Sequence, residues 1–278
     1  MIQPANIATL DLQLPMNKKL ILILCEPRTG SNLLCEAIES YTDLQCINEF
    51  FLSPNVGLYV DKDHVPDDLP HKDLLTDEQQ DHLFNFLNVK NRNYFDMLVN
   101  IYKNPVDSLL ELYNITDKTL VVKVMHNHFD ELPDLYKLLE LSFVELIVLK
   151  RSNKLEEYVS HRKAIAHNTW YNSDTSNIKI VIDVNKFLEK KEWSFSWYNH
   201  IISIISTKNY LELNYEKDLD KFDQQQFCNM FDSWLSSIEV SIDKTNHIVK
   251  YFKKQNNAPI EQSILNYDEI KHLVNKSN

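Results

Sequence analysis

Glycine is the residue that this chain lacks most. The 278 residues include 2 glycines, whereas ordinary usage of about 7% would give roughly twenty. One of them, Gly30, lies between an apolar run and a helical pattern. A position that keeps glycine against this background indicates a backbone requirement, because glycine adopts positive φ and lets a ligand approach the main chain.

Cysteine and long apolar runs are also scarce. The 4 cysteines form no Cys-x-x-Cys pair, so we interpret them as reduced, buried thiols: Cys25, Cys35, Cys46 and Cys228. The apolar run Leu20 to Cys25 is too short for a signal core or a membrane span, and charge follows it at once. These features predict a cytoplasmic protein without a membrane span.

Positive charge is the third deficit. The formal net charge is −11 and the sequence pI is about 5.4, which argues against duplex nucleic acid as a partner. Cations nevertheless stand at three predicted strand ends: Arg28, Lys123, Lys150 and Arg151. The pattern predicts an acidic exterior with one focused anion site.

The segment from Lys18 to Ser40 carries the strongest positive signal. An apolar strand, Leu20 to Cys25, is followed by a turn, Glu26 to Asn32, and then by apolar residues at the spacing of one helix face. The free N–H groups and the dipole of such a helix N-terminus favour an anion. An ordinary strand-to-helix connection is the alternative that this segment leaves open by itself.

The turn fails the test for a nucleoside-triphosphate loop. That motif needs a glycine, four residues, then Gly-Lys and a hydroxyl residue. Here Ser31 stands where the lysine is required. A cation before the glycine, Arg28, and a hydroxyl residue after it suit an anion bound without a metal.

The loop resembles the 5'-phosphosulfate loop of PAPS-dependent sulfotransferases, and most closely that of the bacterial trehalose sulfotransferase family. The family pattern Pro-Arg-Ser-Gly-Ser-Thr-Leu-Leu-Cys-Glu corresponds to Pro27 through Glu36. Asn32 departs from it, because threonine is usual there. The resemblance implies that PAPS is the sulfuryl donor and that no metal takes part.

Other segments extend the resemblance. The strand that ends at Arg151 and the following helix, which contains Ser160, resemble the family's 3'-phosphate site. Glu49, which precedes an aromatic pair, resembles the glutamate that is proposed as the base in this family. A strand ending in a Trp-Asn-Gln-like segment corresponds to TLVVKVMHNHF, where His126 and His128 differ from the family; as an extended pair they could ligate metal, but no third ligand is visible.

The predicted fold is α/β: a P-loop-like parallel sheet flanked by helices, as in sulfotransferases, with a helical insertion or lid over 61–117. We expect one sulfotransferase-like domain over 1–278. The predicted strands are Leu20 to Cys25, Leu44 to Phe50, Leu120 to Met125, Val144 to Leu149 and Tyr210 to Leu213. The predicted helices include Asp81 to Leu87, Asp107 to Tyr113, Trp193 to Ser206 and Gln224 to Ile238.

The implied activity is transfer of a sulfuryl group from PAPS to a hydroxyl of a carbohydrate or glycolipid. Glu49 and Arg28 would be catalytic, and PAPS would be held by Arg28, Thr29, Gly30, Ser31, Asn32, Arg151, Ser160 and Lys254. Trp170 and Tyr171 could stack on a sugar or anchor their loop. The alternatives are a catalytically degenerate binding or interaction protein and a P-loop kinase. The sequence leaves the acceptor and a homodimer open.

Overall fold

The computed structural model describes residues 18–48, 50–51, 101, 104–167, 174–220, 223–242 and 258–274. Five strands form one sheet in the order β2-β3-β1-β4-β5. The strands are β1 (Leu20–Cys25), β2 (Leu44–Ile47), β3 (Thr119–Met125), β4 (Val144–Lys150) and β5 (Tyr210–Asn214). The helices are α1 (Ser31–Glu39), α2 (Pro105–Ile115), α3 (His126–Glu131), a 3₁₀ helix (Pro133–Glu140), α4 (Lys154–His167), α5 (Val184–Ile204), a π-helical turn (Tyr215–Leu219), α6 (Gln224–Ser237), α7 (Ile260–Ser263) and α8 (Tyr267–Val274).

The sheet is parallel and flanked by helices, which confirms the predicted α/β class. Every residue of β1 is buried, as expected for a strand that is covered on both faces of a parallel sheet. From β1 the chain runs to β2 on one side of the sheet, whereas from β4 it runs to β5 on the other. The loops after β1 and β4 therefore flank the point where ligands collect in open α/β sheets.

The five predicted strands are present, with small differences at their ends. β2 ends at Ile47, whereas the sequence predicted a strand through Phe50. α5 begins at Val184, nine residues before the predicted start at Trp193, because Asp183 caps it there: the Asp183 carboxylate accepts from the N–H groups of Asn185 and Lys186.

The described residues group into two compact units. The first contains most of β1, all of β2, α2, β3, α3 and the 3₁₀ helix, and the start of β4. Its β2 and β3 pair in parallel, with Leu44 opposite Thr119 and Ile47 opposite Val122. The Tyr113 ring of α2 stacks on Phe143 at 5.3 Å between ring centroids.

The second unit contains α1, α4, α5, β5, the π-helical turn and most of α6, together with the last described helices. One apolar cluster packs α4 against the segments around α5 and α7: Leu155, Tyr158, Val159, Ile182, Phe187, Ile264 and Ile270. Lys163 is fully buried beside this cluster, where its ammonium donates to the Thr175 carbonyl at 3.1 Å and to Ser263 Oγ at 2.9 Å.

Three expectations about side chains are wrong. The helical spacing of the sequence predicts Ile165 on the apolar face of α4 and Phe195 on that of α5, but their exposed fractions are 48% and 53%. His126 and His128 were placed in extended backbone, but both lie in α3. Helical geometry turns residues two apart toward different sides, so the extended His-x-His ligand pair does not form.

Several predictions lie outside the described residues. They concern the base Glu49, the aromatic pair Trp170 and Tyr171, the tail residue Lys254, the helix Asp81 to Leu87 and most of the insertion 61–117. Within the described end of that insertion, α2 confirms the helix predicted at Asp107 to Tyr113.

Candidate anion-binding site

The loop after β1, residues 26–32 and called the cradle below, has an unusual backbone. Gly30 precedes α1 with φ of +84°, and Arg28 has φ of +69°. Positive φ is uncommon for a residue with a side chain and marks strained or functional turns. A Cβ on Gly30 would collide with the ring of Tyr215, whose Cε2 would lie at 2.8 Å. Gly30 is therefore required by both backbone conformation and space.

Side chains inside this loop stabilise it. Thr29 is fully buried, and its hydroxyl donates to the Glu26 carbonyl at 2.7 Å. Its hydrogen is thus used within the loop, which leaves the backbone N–H as the Thr29 donor for a ligand. Ser31 is buried and Asn32 half-buried in the first turn of α1, where helix N–H groups have no partner within the helix.

Three residues predicted for the site meet in the second unit. Arg28 Nε donates to Ser160 Oγ on α4 at 2.9 Å, and Arg151 Nη1, just after β4, donates to the Arg28 carbonyl at 3.0 Å. Burial, and then the like charge of Arg151, lower the pKa of Arg28 to about 10. Two guanidinium groups close together and largely out of water form a site that a phosphate would stabilise.

Arg151 is held from several sides, with 7% of its side chain exposed. Its Nη2 donates to Glu156 at 2.8 Å, and its Nε lies 3.5 Å from a Glu216 oxygen. The guanidinium carbon lies 4.5 Å from the centroid of the Tyr215 ring, close enough for a cation–π interaction.

The π-helical turn after β5 orders the chain that follows Arg151. The Glu216 carboxylate accepts from the N–H groups of Ser152 at 2.8 Å and Asn153 at 3.0 Å. Asn214 Nδ2 donates to Ser152 Oγ at 2.5 Å. Because Tyr215 also packs against Gly30, one short turn contacts both loops that carry the arginines.

A buried ion network joins the cradle to α4 and α5. Lys154 Nζ lies 2.7 Å from Glu26 and 2.8 Å from Glu157. Lys190 lies 3.0 Å from the other Glu26 oxygen, and the Ser194 hydroxyl donates to Glu26. Buried charges are tolerated here because each has an ion-pair partner, and Lys154 also donates hydrogen bonds to Glu26 and Glu157.

The two carboxylates of the network titrate in opposite directions. Burial opposes ionisation of Glu26, but Lys154 and Lys190 outweigh it and lower its pKa to about 2. Burial, and then the charge of Glu26, raise the pKa of Glu157 to about 7. Glu157 is therefore the member of the network that changes charge near neutral pH.

The cluster at the end of β3 belongs to the first unit. Lys123 is buried, with 1% of its surface exposed, and His128 is fully buried. His128 Nδ1 accepts from the Met125 N–H at 3.2 Å, and its ring packs edge-on against Phe51 at 5.8 Å. Burial, and then Lys123 and His126, lower the pKa of His128 to about 3. This histidine is neutral at pH 7 and is a weak proton acceptor.

Sequence reasoning missed the acidic and lysine partners of the site. Neither Glu26 nor the segment from Tyr215 to Leu219 is among the residues that the sequence predicts for the site. Glu156, Lys154 and Glu157 were not considered. The one signal available was a charged residue, Glu26, directly after an apolar strand, since a charge at that place needs a partner when it is buried.

In the described part of the chain, no group of three or more His, Cys, Asp or Glu side chains could hold a metal ion. Among the described helices, none has the length and apolar character needed to cross a membrane.

No family model matches this chain, and no curated protein matches it. Among solved structures, the sulfotransferase domain from the Synechococcus PCC 7002 olefin synthase is similar. Its sequence is 18% identical, the match covers 84% of this chain and 78% of that one, and the TM-score is 0.48. At this level the likeness carries no argument about activity, so the proposal below relies on the residues of the site.

Proposed function

We propose that this chain is a sulfotransferase that moves a sulfuryl group from PAPS to a hydroxyl of a carbohydrate or glycolipid. The observation that supports it most is the meeting of Arg28, Arg151 and Ser160 beside the N-terminus of α1. These residues come from three separate segments of the sequence, and each was assigned to PAPS by the resemblance.

The cradle fits the 5' end of PAPS. A phosphosulfate at the N-terminus of α1 would accept hydrogen bonds from the loop N–H groups and would meet the favourable end of the helix dipole. Arg28 would supply a guanidinium fork to the same oxygens. Gly30 adopts the left-handed backbone conformation that this turn uses, which a residue with a side chain rarely takes.

Arg151 and Ser160 fit the 3'-phosphate. Arg151 is an arginine at the carboxyl end of a strand, and Ser160 lies two turns into the following helix. The bond from Arg28 Nε to Ser160 Oγ links the two phosphate positions through one side chain. A nucleotide that carries both phosphates would therefore contact every member of the cluster.

PAPS is the substrate that brings the sulfuryl group. In the reaction, the acceptor oxygen forms a bond to sulfur while the bond from sulfur to the phosphate oxygen breaks, and adenosine 3',5'-bisphosphate leaves. Glu49 would take the hydroxyl proton. Arg28 and the loop N–H groups would stabilise the charge that builds on the departing phosphate. Ser31, in place of the P-loop lysine, disfavours a kinase.

The experiment is isotope transfer from ³⁵S-labelled PAPS into a cell extract, with mass spectrometry of the labelled product. Wild type should label a carbohydrate or glycolipid. Glu49→Gln should slow labelling by about 10²–10⁴-fold, the usual contribution of a general base, while its affinity for adenosine 3',5'-bisphosphate and its melting temperature stay near wild type.

Other results would redirect the proposal. Binding of the bisphosphate without turnover on any acceptor would favour the degenerate binding protein. Full turnover by Glu49→Gln would place the base elsewhere. Transfer of phosphate from ATP, dependent on magnesium, would identify a kinase.

A further inference from the structure

The carboxylate of Glu156 is bound to the guanidinium of Arg151, which the proposed function assigns to the 3'-phosphate. Its carboxylate lies 2.8 Å from Arg151 Nη2, at the distance of a charge-assisted hydrogen bond. Arg151 Nη1 is engaged by the Arg28 carbonyl at 3.0 Å. Arg151 Nε has no hydrogen-bond partner among the described residues. A phosphate that takes Nε and Nη2 together therefore replaces Glu156 on Nη2 or Glu216 beside Nε, and these are the two acidic candidates.

Glu216 is the more firmly held of the two. Its carboxylate accepts from the N–H groups of Ser152 and Asn153 in addition to lying 3.5 Å from Arg151 Nε. Removing the Glu216 carboxylate would leave the N–H groups of Ser152 and Asn153 without their acceptor, which costs free energy.

The side chain of Glu156 has fewer contacts than that of Glu216. Among the described residues, Arg151 is the hydrogen-bond partner of its side chain, and 38% of that side chain is exposed. It lies in the first turn of α4, where Asn153 Oδ1 accepts from its N–H at 3.1 Å, so its backbone stays fixed if the side chain turns toward water. The Glu156 end of the pair is partly in water, where its carboxylate can be hydrated once it leaves the buried Arg151.

We infer that Glu156 is a specificity-determining residue: its carboxylate occupies the 3'-phosphate position on Arg151 and is displaced when a 3'-phosphorylated nucleotide binds. Glu156 thus lowers the affinity for nucleotides that carry the 3'-phosphate. It leaves the 5' end untouched, because the loop N–H groups and Arg28 bind that end. The inference rests on the proposed function and adds a residue that the proposal does not use.

The test compares dissociation constants for adenosine 3',5'-bisphosphate and adenosine 5'-phosphate by calorimetry. Glu156→Gln keeps the size of the side chain and removes its charge. It should bind the bisphosphate about two- to tenfold more tightly than wild type, with the 5'-phosphate affinity changed less than twofold. The matched control is Glu212→Gln, since Glu212 pairs with Lys150 at 2.8 Å and carries the same charge beside the same strand end. It should leave the affinity ratio of the two nucleotides unchanged.

A double variant separates direct competition from a general charge effect. In an Arg151→Ala background, Glu156→Gln should no longer improve bisphosphate binding, because the shared guanidinium is gone. An equal gain with and without Arg151 would overturn the inference, and so would an equal gain for both nucleotides. A loss of bisphosphate affinity in Glu156→Gln would overturn it too, and would show that Glu156 positions Arg151.

Failure of the proposed function gives a different result. If neither wild type nor Glu156→Gln binds either nucleotide, while both unfold at the same temperature, the proposal and the inference fall together. If wild type prefers the bisphosphate and Glu156→Gln leaves that preference unchanged, the inference falls and the proposed function stands.

Discussion

At the scale of single residues, strain is concentrated in the loop after β1. Two residues within three positions, Arg28 and Gly30, have positive φ, and Tyr215 fills the space in which a Gly30 side chain would lie. Contacts from Arg151 to the Arg28 carbonyl and from Thr29 to Glu26 hold this conformation. Such strain persists where the surroundings over-determine it, as in a preorganised binding site.

Gly30→Ala should destabilise the protein by about 1–3 kcal/mol, because alanine is unfavourable at φ of +84° and its Cβ collides with Tyr215. Thermal unfolding measures the loss. The double variant Gly30→Ala with Tyr215→Ala relieves the collision but not the backbone, so the two changes should couple favourably. Strict additivity would show that Tyr215 does not restrict this position.

Glu157 should make stability depend on pH near neutrality. Its folded pKa of about 7 lies above the ordinary 4.5, so its contribution is fully present below about pH 4.5 and is lost as pH rises through about 7. Glu157→Gln should resemble wild type at pH 5 and melt at a higher temperature than wild type at pH 8.

Melting temperatures from pH 5 to pH 8 test this expectation. Glu189→Gln is the control, since it removes an exposed carboxylate from α5 outside the ion network, and its difference from wild type should not grow with pH. A Glu157→Gln curve parallel to wild type would rule out titration of Glu157 in this range.

At the scale of elements, α5 begins nine residues earlier than its apolar pattern predicted, because a cap decides where a helix starts. The Asp183 carboxylate accepts from Asn185 N–H at 3.0 Å and from Lys186 N–H at 3.2 Å. The added turns bring Lys190 to Glu26 and Phe187 into the apolar cluster. A local cap thereby contributes to the buried ion network.

Asp183→Ala should cost about 0.5–2 kcal/mol of stability, the usual effect of losing an N-cap. Asp183→Asn keeps an acceptor oxygen and should cost less than half as much. Urea unfolding gives both values. Equal losses in the two variants would point to the charge of Asp183 instead of its hydrogen bonds.

At the scale of the whole molecule, a chain with a net charge of −11 gathers cations around one loop. Arg28 and Arg151 meet there, and Lys154 and Lys190 contact Glu26 at the start of the loop. The lysines pair with Glu26 and Glu157, and Arg151 pairs with Glu156. Cations gathered at one loop are compatible with the proposed binding of an acidic nucleotide by an acidic protein.

Adenosine 3',5'-bisphosphate should raise the stability of the whole protein by about 2.7 kcal/mol at a hundred times its dissociation constant. ATP at the same concentration should raise it less, with or without magnesium, since ATP lacks the 3'-phosphate. Scanning calorimetry with each nucleotide measures both effects. Equal stabilisation by ATP that requires magnesium would contradict the sulfotransferase proposal.

The sequence by itself determined the strands and the cradle. Leu20 to Cys25 is an apolar run that only a buried strand accommodates at this length, and the helix period of α1 follows directly, so the strand, turn and helix are encoded within about twenty residues. Such features depend on short-range periodicity and on the backbone freedom of glycine, both of which can be read from neighbouring residues. The same holds for the burial of the four cysteines.

Only the tertiary structure decided which charges meet. Lys154 and Glu26 are 128 residues apart in sequence. Glu216 accepts a hydrogen bond from the N–H of Ser152, which is 64 residues away. Glu156 is close to Arg151 in sequence, but the role proposed for Glu156 depends on how the Arg151 guanidinium is oriented. That orientation is set by contacts with residues that are distant in sequence, Arg28 and Glu216. Charged side chains carry no periodic signal of their partners, because each pairing is set by the packing of whole helices and loops. That is why the cradle could be predicted from the sequence, whereas the carboxylates that surround it could not.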